Sequence, residues 1–181
     1  MSLQRLVYRG RQFWLALRAR PAAQDLEQAR IILGPDLFPL FTTMQPGEQV
    51  HSLQVLHRLQ SQGEEHPDLL AAALLHDVGK SRRKLRLWER AWIVLARAFL
   101  APQAHQWGCV DANDLACLPF WQQPLVVAEQ HPAWGAEMVA AAGSPFLAVA
   151  LIRRHADKSA RRQSDLEGQL LARLQFVDDN S

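Results

Sequence analysis

The sequence lacks long hydrophobic runs, has few cysteines and carries little net charge, and each of these features excludes a class of protein. No apolar stretch among its 181 residues approaches the roughly 20 residues that a membrane-spanning helix needs. Two cysteines are too few for a disulfide framework or for a metal site built on thiolates. A net charge of +2 is too small to indicate nucleic acid as a partner. We therefore expect a cytoplasmic globular protein without a transmembrane segment.

The first 20 residues combine arginine with leucine and aromatic side chains. Their charges leave no apolar core for a signal peptide. Two interpretations remain open, because such a segment either lies on a membrane surface or packs its apolar side chains on the rest of the protein. We expect residues 1–46 to form a helical extension that packs on a core domain spanning residues 47–181.

Apolar residues recur at helical spacing along the chain, and no segment shows the alternation typical of a strand. Glycine and proline separate the helical segments, for example at Gly34-Pro35 and at Gly63. The pattern predicts an all-α bundle of about eight helices. The predicted helices cover residues 22–33, 36–44, 47–62, 67–78 and 81–100. One more begins at His131, after the apolar residues 125–130, and runs to residue 143, and two begin at residues 145 and 165.

Capping residues and glycine indicate where several of these helices begin and end. Gly79 is expected to end the central helix by adopting a left-handed conformation. Ser144 is a typical N-cap, and Ser164 begins a capping box that Glu167 completes. These residues set the expected helix boundaries.

Two segments in the middle of the chain carry less specific patterns. Residues 81–100 are amphipathic, and their basic face is either a solvated surface or a cationic rim for an anionic ligand. Residues 101–124 contain several prolines and no helical period, and long connections of this kind often form lids or binding loops. We therefore expect this connection to be irregular and to contribute to substrate selectivity.

The most informative stretch is an apolar run at residues 69–75 that leads directly into His76-Asp77. A helix that is apolar on all sides is a buried helix, so this one carries an imidazole and a carboxylate to the core. A buried carboxylate is costly unless it is paired or bound to a metal ion. By itself, the stretch is equally explained by an aspartate that is hydrogen-bonded to nearby backbone, with the histidine as its partner.

Other predicted helices also place ligand-type side chains on inward faces. His51, His155 and Asp178 follow the helical spacing of apolar residues, and His131 lies at a predicted helix start. Imidazole and carboxylate are ligands for iron, manganese, cobalt, nickel or zinc rather than for calcium. Six ligands suit two metal ions bridged by one carboxylate, at the spacing of about 3.5–4 Å found in two-metal sites. The predicted ligands are His51, His76, Asp77, His131, His155 and Asp178, with Glu48 and Asp179 as further candidates.

The order of these residues resembles the HD superfamily of metal-dependent phosphohydrolases. Residues His76-Asp77-Val78-Gly79-Lys80 match its central motif. Residues His131-Pro132-Ala133-Trp134-Gly135 are similar to the His-Pro-x-x-Gly element of dinuclear members, which include the HD-GYP cyclic-dinucleotide phosphodiesterases. The resemblance covers residues 47–180 and implies an HD-domain helical bundle.

The resemblance also implies a role for each site residue. It assigns one metal ion to His51, His76, Asp77 and Asp178, and the other to His131, His155 and the bridging Asp77. Lys80 matches the lysine that contacts the substrate phosphate. The sequence departs from the HD-GYP proteins at two places. Ala156 stands where those proteins have a second histidine, and residues 157–163 contain no Gly-Tyr-Pro. Both departures argue against a cyclic di-GMP enzyme and against a third metal ion.

We therefore expect a phosphomonoesterase or phosphodiesterase that binds two divalent transition metals, iron or manganese above all, and acts on a small nucleotide-like phosphate ester. Asp77 and Lys80 are the expected catalytic residues. Arg153 and Arg154 either hold further phosphates or form a solvated helix end. Two alternatives remain open, namely a mixed-valent di-iron oxygenase with nearly the same ligands and a non-catalytic signalling module.

Overall fold

The computed structural model describes residues 20–110, 115–157 and 165–181, and these ranges contain helices and no strand. Two short 3₁₀-helices, Val78–Arg82 and Leu115–Cys117, lie in the described part. None of the described helices is long and apolar enough to cross a membrane. The predicted all-α bundle of about eight helices is confirmed. The α-helices within the described ranges are α1 (Ala23–Thr43), α2 (Pro46–Ser61), α3 (Pro67–Leu75), α4 (Leu87–Phe99), α5 (Ala101–Gly108), α6 (Gln123–Ala141), α7 (Phe146–Arg154) and α8 (Leu166–Asp179).

Several expectations fall wholly or mainly outside the described residues, namely those for the basic arm at residues 1–20, the loop at 157–163 and the cap at Ser164. The structure gives the N-cap of α8 as Asp165, whose side chain accepts a hydrogen bond from Gly168 N at 2.9 Å. Near the other end of the chain, the two helices predicted on either side of Gly34-Pro35 form one helix, α1, which bends at Gly34, where φ is +65°.

Helix α3 lies at the centre of the bundle and is buried along its length. All residues from Leu69 to Leu75 are buried, and α1, α2, α7 and α8 pack against the helix. Each fully buried leucine contributes about 1.5–3 kcal/mol by removing apolar surface from water. α1 adds Leu33 and Phe41 to the same core, so residues 23–43 share one core with the helices that follow. The apolar run therefore anchors the bundle and sets the position of the residues after it.

The predicted helix over residues 81–100 is wrong at its beginning. The chain first forms the 3₁₀-helix Val78–Arg82, and α4 begins only at Leu87. Arg86 is the extended N-cap of α4, and its backbone N–H donates to the Glu89 carboxylate at 2.6 Å. The same carboxylate pairs with Arg83. This capping box starts a new helix because it satisfies an N–H group that has no partner in a preceding turn.

The expectation of an irregular connection at residues 101–124 is wrong in part. Residues Ala101–Gly108 form α5, and Gln123 already belongs to α6. Pro102 lies in the first turn of α5, where a helix does not need the missing N–H group. Helix α5 packs against α4 and α6, so this part of the connection is a docked helix.

The predicted N-cap at Ser144 is also wrong. Helix α7 begins at Phe146, and Pro145 occupies the N-cap position. The helical hydrogen bonds start at the Pro145 carbonyl, which accepts from Val149 N at 3.1 Å. Ser144 therefore lies one residue too early to cap the helix, and its hydroxyl makes no hydrogen bond to any described residue.

Gly79 has a different role from the one predicted. It lies in the 3₁₀-helix after Asp77, and the described glycines with positive φ are Gly34, Gly63 and Gly143. A Cβ atom at Gly79 would overlap the carbonyl oxygen of His131 and lie 2.7 Å from Gly135 N. Glycine is therefore required because the backbones of the His76-Asp77 turn and α6 are in direct contact.

We expect Gly79→Ala to destabilise the protein by about 3 kcal/mol or more, because the new methyl group meets backbone atoms that cannot rotate away. Urea unfolding followed by circular dichroism would measure the loss. Gly135→Ala is the matched control on the opposite side of this contact, where a Cβ would meet its nearest atom at 3.2 Å. Its strain is offset by the better helix propensity of alanine, worth about 1 kcal/mol. Equal losses in the two variants would contradict this account.

Candidate metal centre

One cavity of about 730 Å³ brings the predicted ligands together. This volume lies within the range of about 300–1,000 Å³ that small-molecule sites occupy. His76 lies beneath the cavity and is buried. The predicted ligands in the cavity wall are His51, Asp77, His131, His155 and Asp178, and Lys80 and Asp179 also line it.

The first group of candidate ligands comes from three different helices. His51 lies on α2, His76 directly follows α3, and Asp178 lies on α8. Oδ1 of Asp178 is 2.7 Å from His51 Nε2 and 3.5 Å from His76 Nε2. We call these three residues the first trio. Their ligand atoms are close enough to contact one metal ion.

The second trio consists of Asp77, His131 and His155, all of them buried. Oδ1 of Asp77 lies 3.3 Å from His131 Nε2 and 3.9 Å from His155 Nε2. The two Nε2 atoms are only 3.2 Å apart. A buried set of one carboxylate and two imidazoles with converging ligand atoms can hold a metal ion.

The orientation of the buried imidazoles is set by backbone carbonyls of the preceding helical turn. His76 Nδ1 donates to Ala73 O at 3.0 Å, and His155 Nδ1 donates to Ile152 O at 2.8 Å. A carbonyl only accepts, so each Nδ1 carries the proton and each Nε2 presents a lone pair. His76 Nε2 has no hydrogen-bond partner among the described residues. The Nε2 lone pair of His155 faces Nε2 of His131, and that of His76 faces the carboxylates of Asp77 and Asp178. A metal ion would satisfy this arrangement.

His131 owes its position to Pro132, which lies inside α6 rather than after a helix start. The prediction that His131 begins a helix is therefore wrong, since α6 runs from Gln123 to Ala141. Proline lacks an N–H group and leaves the carbonyl of Ala128 without its helical donor. That carbonyl instead accepts from Arg97 Nη2 at 3.0 Å and from His131 Nδ1 at 3.1 Å. The proline thus frees one of the two carbonyls that orient His131, the other being Val127 O, which also lies 3.1 Å from His131 Nδ1.

The protonation states of the cavity residues suit metal binding. Burial lowers the pKa of His131, and it lowers the pKa of His155 to about 3, so both imidazoles are neutral at pH 7. Burial raises the pKa of Asp77, but the charge of Lys80 and the contacts with His76 and His131 outweigh it, and the pKa lies well below its usual range. Neutral imidazole and ionised carboxylate are the forms that bind metals.

His51 and Asp178 form a tighter, partly exposed pair. Burial lowers the pKa of His51, yet the hydrogen bond that its Nε2 donates to Asp178 and the charge of Asp77 raise it above its ordinary value. Burial likewise raises the pKa of Asp178, and the hydrogen bond with His51 lowers it to about 2. Each partner therefore stabilises the charged form of the other.

Some further candidates lie away from the two trios. Glu48 is buried, but its carboxylate pairs with Arg90 at 2.7 Å and caps α2. The structure does not place Arg153 or Arg154 in the cavity lining, and Arg154 pairs with Glu167 on α8. Asp179 lines the cavity beside Asp178 without joining either trio.

Three lining residues carry no signal in the sequence that would have singled them out. Arg97 lies on α4, His105 on α5 and Glu129 on α6. Arg97 Nη2 is 2.8 Å from Glu129 Oε1, and Glu129 Oε2 is 3.2 Å from His105 Nδ1. Each is a common residue of a polar helix face, and only the packing of α4, α5 and α6 brings them to one place.

The connection at residues 101–124 also borders a separate apolar cavity of about 470 Å³. Its Trp107 and Trp121 line this cavity together with Trp88 and Trp92 of α4. His105, from the same connection, lines the cavity of the two trios. The segment therefore contributes to the surroundings of the candidate centre through α5.

Among protein-family models, curated proteins and solved structures, none matches this chain.

Proposed function

We propose that this chain is a metal-dependent phosphohydrolase that cleaves a small nucleotide-like phosphate ester with the help of two divalent transition-metal ions. One observation carries the proposal, namely that Asp77 lies between the two histidines of its own trio and His76 of the first trio. Its Oδ1 faces His131 and His155, whereas its Oδ2 lies 3.6 Å from His76 Nε2. A carboxylate whose two oxygens face different ligand groups is the natural bridge of a two-metal site.

The donor set fits such a pair of ions. In this proposal one ion is held by His51, His76 and Asp178, the other by His131 and His155, and Asp77 contacts both. Imidazole and carboxylate suit iron or manganese best in this reading, with cobalt, nickel or zinc as further possibilities. When bound, such ions supply an activated water at neutral pH and positive charge against the phosphoryl oxygens.

Two cationic side chains support an anionic substrate. Lys80 Nζ lies 2.6 Å from Asp77 Oδ2, and its ammonium has further N–H groups that can donate to a phosphoryl oxygen. Arg97 lines the same cavity on the side of α4. In our proposal Lys80 contacts the reacting phosphate and stabilises the charge that develops on it. The resemblance of the His76–Lys80 stretch to the HD superfamily supports the same assignment.

The oxidative alternative uses nearly the same ligands but a different reaction. A mixed-valent di-iron oxygenase needs dioxygen and redox-active iron, whereas hydrolysis moves no electron. The two cations at the cavity favour the phosphate substrate, and the following experiment separates the two reactions.

We expect manganese-loaded protein to hydrolyse members of a panel of phosphate monoesters, phosphate diesters, nucleotides and cyclic nucleotides, with equal rates in air and in a glove box. Phosphate release or loss of ester is the measurement. An Asp77→Asn variant purified in the same way is expected to be inactive, which controls for contaminating phosphatases. No cleavage of any ester, together with oxygen consumption by the iron-loaded protein on a hydroxylated or phosphonate compound, would overturn the proposal.

A further inference from the structure

A third cluster of metal-ligand side chains lies outside the two trios, at the rim of the same cavity. His105 and Cys109 are one helical turn apart at the end of α5, and Glu129 faces them from α6. Their ligand atoms lie within 4.8 Å of one another. Glu129 Oε2 is 3.2 Å from His105 Nδ1, and Cys109 Sγ is 3.6 Å from the same nitrogen.

We propose that His105, Cys109 and Glu129 form a separate zinc site at the rim of the cavity. The site offers one thiolate sulfur, one imidazole nitrogen and one carboxylate oxygen, and all three are zinc ligands. Three protein ligands leave the fourth tetrahedral position of zinc for water or for a ligand in the cavity. The two trios contain no sulfur, so this site is chemically distinct from them. The proposal does not depend on the phosphohydrolase function.

Arg97 prepares Glu129 for this role. Arg97 Nη2 lies 2.8 Å from Glu129 Oε1, which leaves Oε2 directed towards His105. The same guanidinium donates to Ala128 O, so it is held on the backbone next to the carboxylate. A hydrogen bond to the second oxygen fixes the orientation of a metal-binding carboxylate. Glu129 is therefore held in place before any ion binds.

The end of α5 is shaped to bring Cys109 to this carboxylate. A Cβ atom at Gly108 would overlap Glu129 Cγ and lie 2.8 Å from Leu125 O, so only glycine allows α5 to approach α6 this closely. The Gln130 side chain donates to Gly108 O at 3.0 Å and to Val110 O at 2.7 Å. Glu129 therefore packs against Gly108, and Gln130 donates to the backbone on both sides of Cys109. These contacts fix the backbone that carries Cys109 and hold the cysteine beside Glu129.

The two cysteines do not indicate this site in the sequence, because its other ligands are a histidine and a glutamate, and the glutamate comes from another helix. Cys109 and Cys117 are both exposed, but only Cys109 belongs to the cluster. Cys117 therefore serves as an internal control.

Cobalt provides the direct test, because a thiolate bound to cobalt(II) gives a charge-transfer absorption that nitrogen and oxygen ligands do not produce. We expect this band in the full chain and in Cys117→Ser, and we expect zinc to abolish it by displacing cobalt. Cys109→Ser should lack the band while still binding cobalt at its other sites. A band that survives in Cys109→Ser, or its absence from the unchanged protein, would overturn the proposal.

Thiol protection gives a second measurement that does not use colour. In the Cys117→Ser background, zinc should slow the reaction of Cys109 with a thiol reagent, and His105→Ala or Glu129→Gln should remove that protection. His57→Ala and Glu137→Gln, which replace exposed residues outside the cluster, are the matched controls. Arg97→Ala should weaken zinc binding by about 10–100-fold, as expected for a residue that orients a ligand. Protection that is unchanged in His105→Ala and Glu129→Gln would show that the cluster does not bind zinc.

Discussion

Asp77→Asn is expected to abolish binding of both metal ions, whereas His131→Ala is expected to remove only one of them. The amide keeps the shape of the carboxylate but loses the negative charge that both sites share. Among the other candidate ligands, His131 contacts Asp77 Oδ1 and His155 Nε2, which both belong to its own trio. Removing it leaves the first trio and one side of Asp77 in place. Elemental analysis after reconstitution with manganese or iron would therefore give two ions per chain for the unchanged protein, none for the first variant and one for the second.

Circular dichroism of both variants is needed to show that the helices remain, because Asp77 also pairs with Lys80 in the core. Asp68→Asn is the matched control, since it replaces another aspartate of the same segment outside the cavity. It is expected to bind two ions. Equal metal loss in Asp77→Asn and His131→Ala would contradict the bridging role of Asp77. At most one ion per chain in the unchanged protein would contradict the two-metal proposal itself.

The helical spacing of apolar residues was sufficient to bring most of the candidate ligands to one cavity. Burial of α3 follows from its uninterrupted apolar run, and burial places His76 and Asp77 at the core. The amphipathic patterns of α2, α7 and α8 likewise predict the inward faces of His51, His155 and Asp178. These predictions work because the hydrophobic pattern is a local property that the packing of the bundle preserves.

The contacts between helices could not be predicted in the same way. The sequence predicts a helix start at His131, yet α6 already begins at Gln123 and continues through Pro132, and Arg97 from α4 donates to the carbonyl of Ala128 that the proline leaves without a helical donor. Gly79 indicates a left-handed helix end, yet the glycine is needed for contact with a backbone 52 positions away at His131. In both cases the deciding partner comes from another part of the chain. The zinc cluster at the rim is hidden for the same reason, because Gly108 is informative only once α6 lies beside it.

Lys80→Ala is expected to keep both metal ions and the helical circular dichroism but to lose about 2–4 kcal/mol of transition-state stabilisation, a loss of roughly 30–1,000-fold in kcat. An ammonium has donors only and cannot act as a metal ligand while charged. Its Nζ, 2.6 Å from the Oδ2 atom of Asp77, belongs to a residue of the cavity wall, where we propose that it donates to a phosphoryl oxygen of the substrate. The loss should therefore fall on the chemical step rather than on folding or metal content.

Lys84→Ala is the matched control for this loss, because Lys84 is an exposed lysine four positions further along and does not line the cavity. Its turnover should equal that of the unchanged protein. Lys80→Arg should recover part of the activity, since it restores a positive charge near the phosphate with a different donor geometry. Normal turnover by Lys80→Ala would remove this residue from the mechanism. Loss of metal in that variant would instead assign Lys80 to the support of Asp77, and the arginine variant would then recover metal content and activity together.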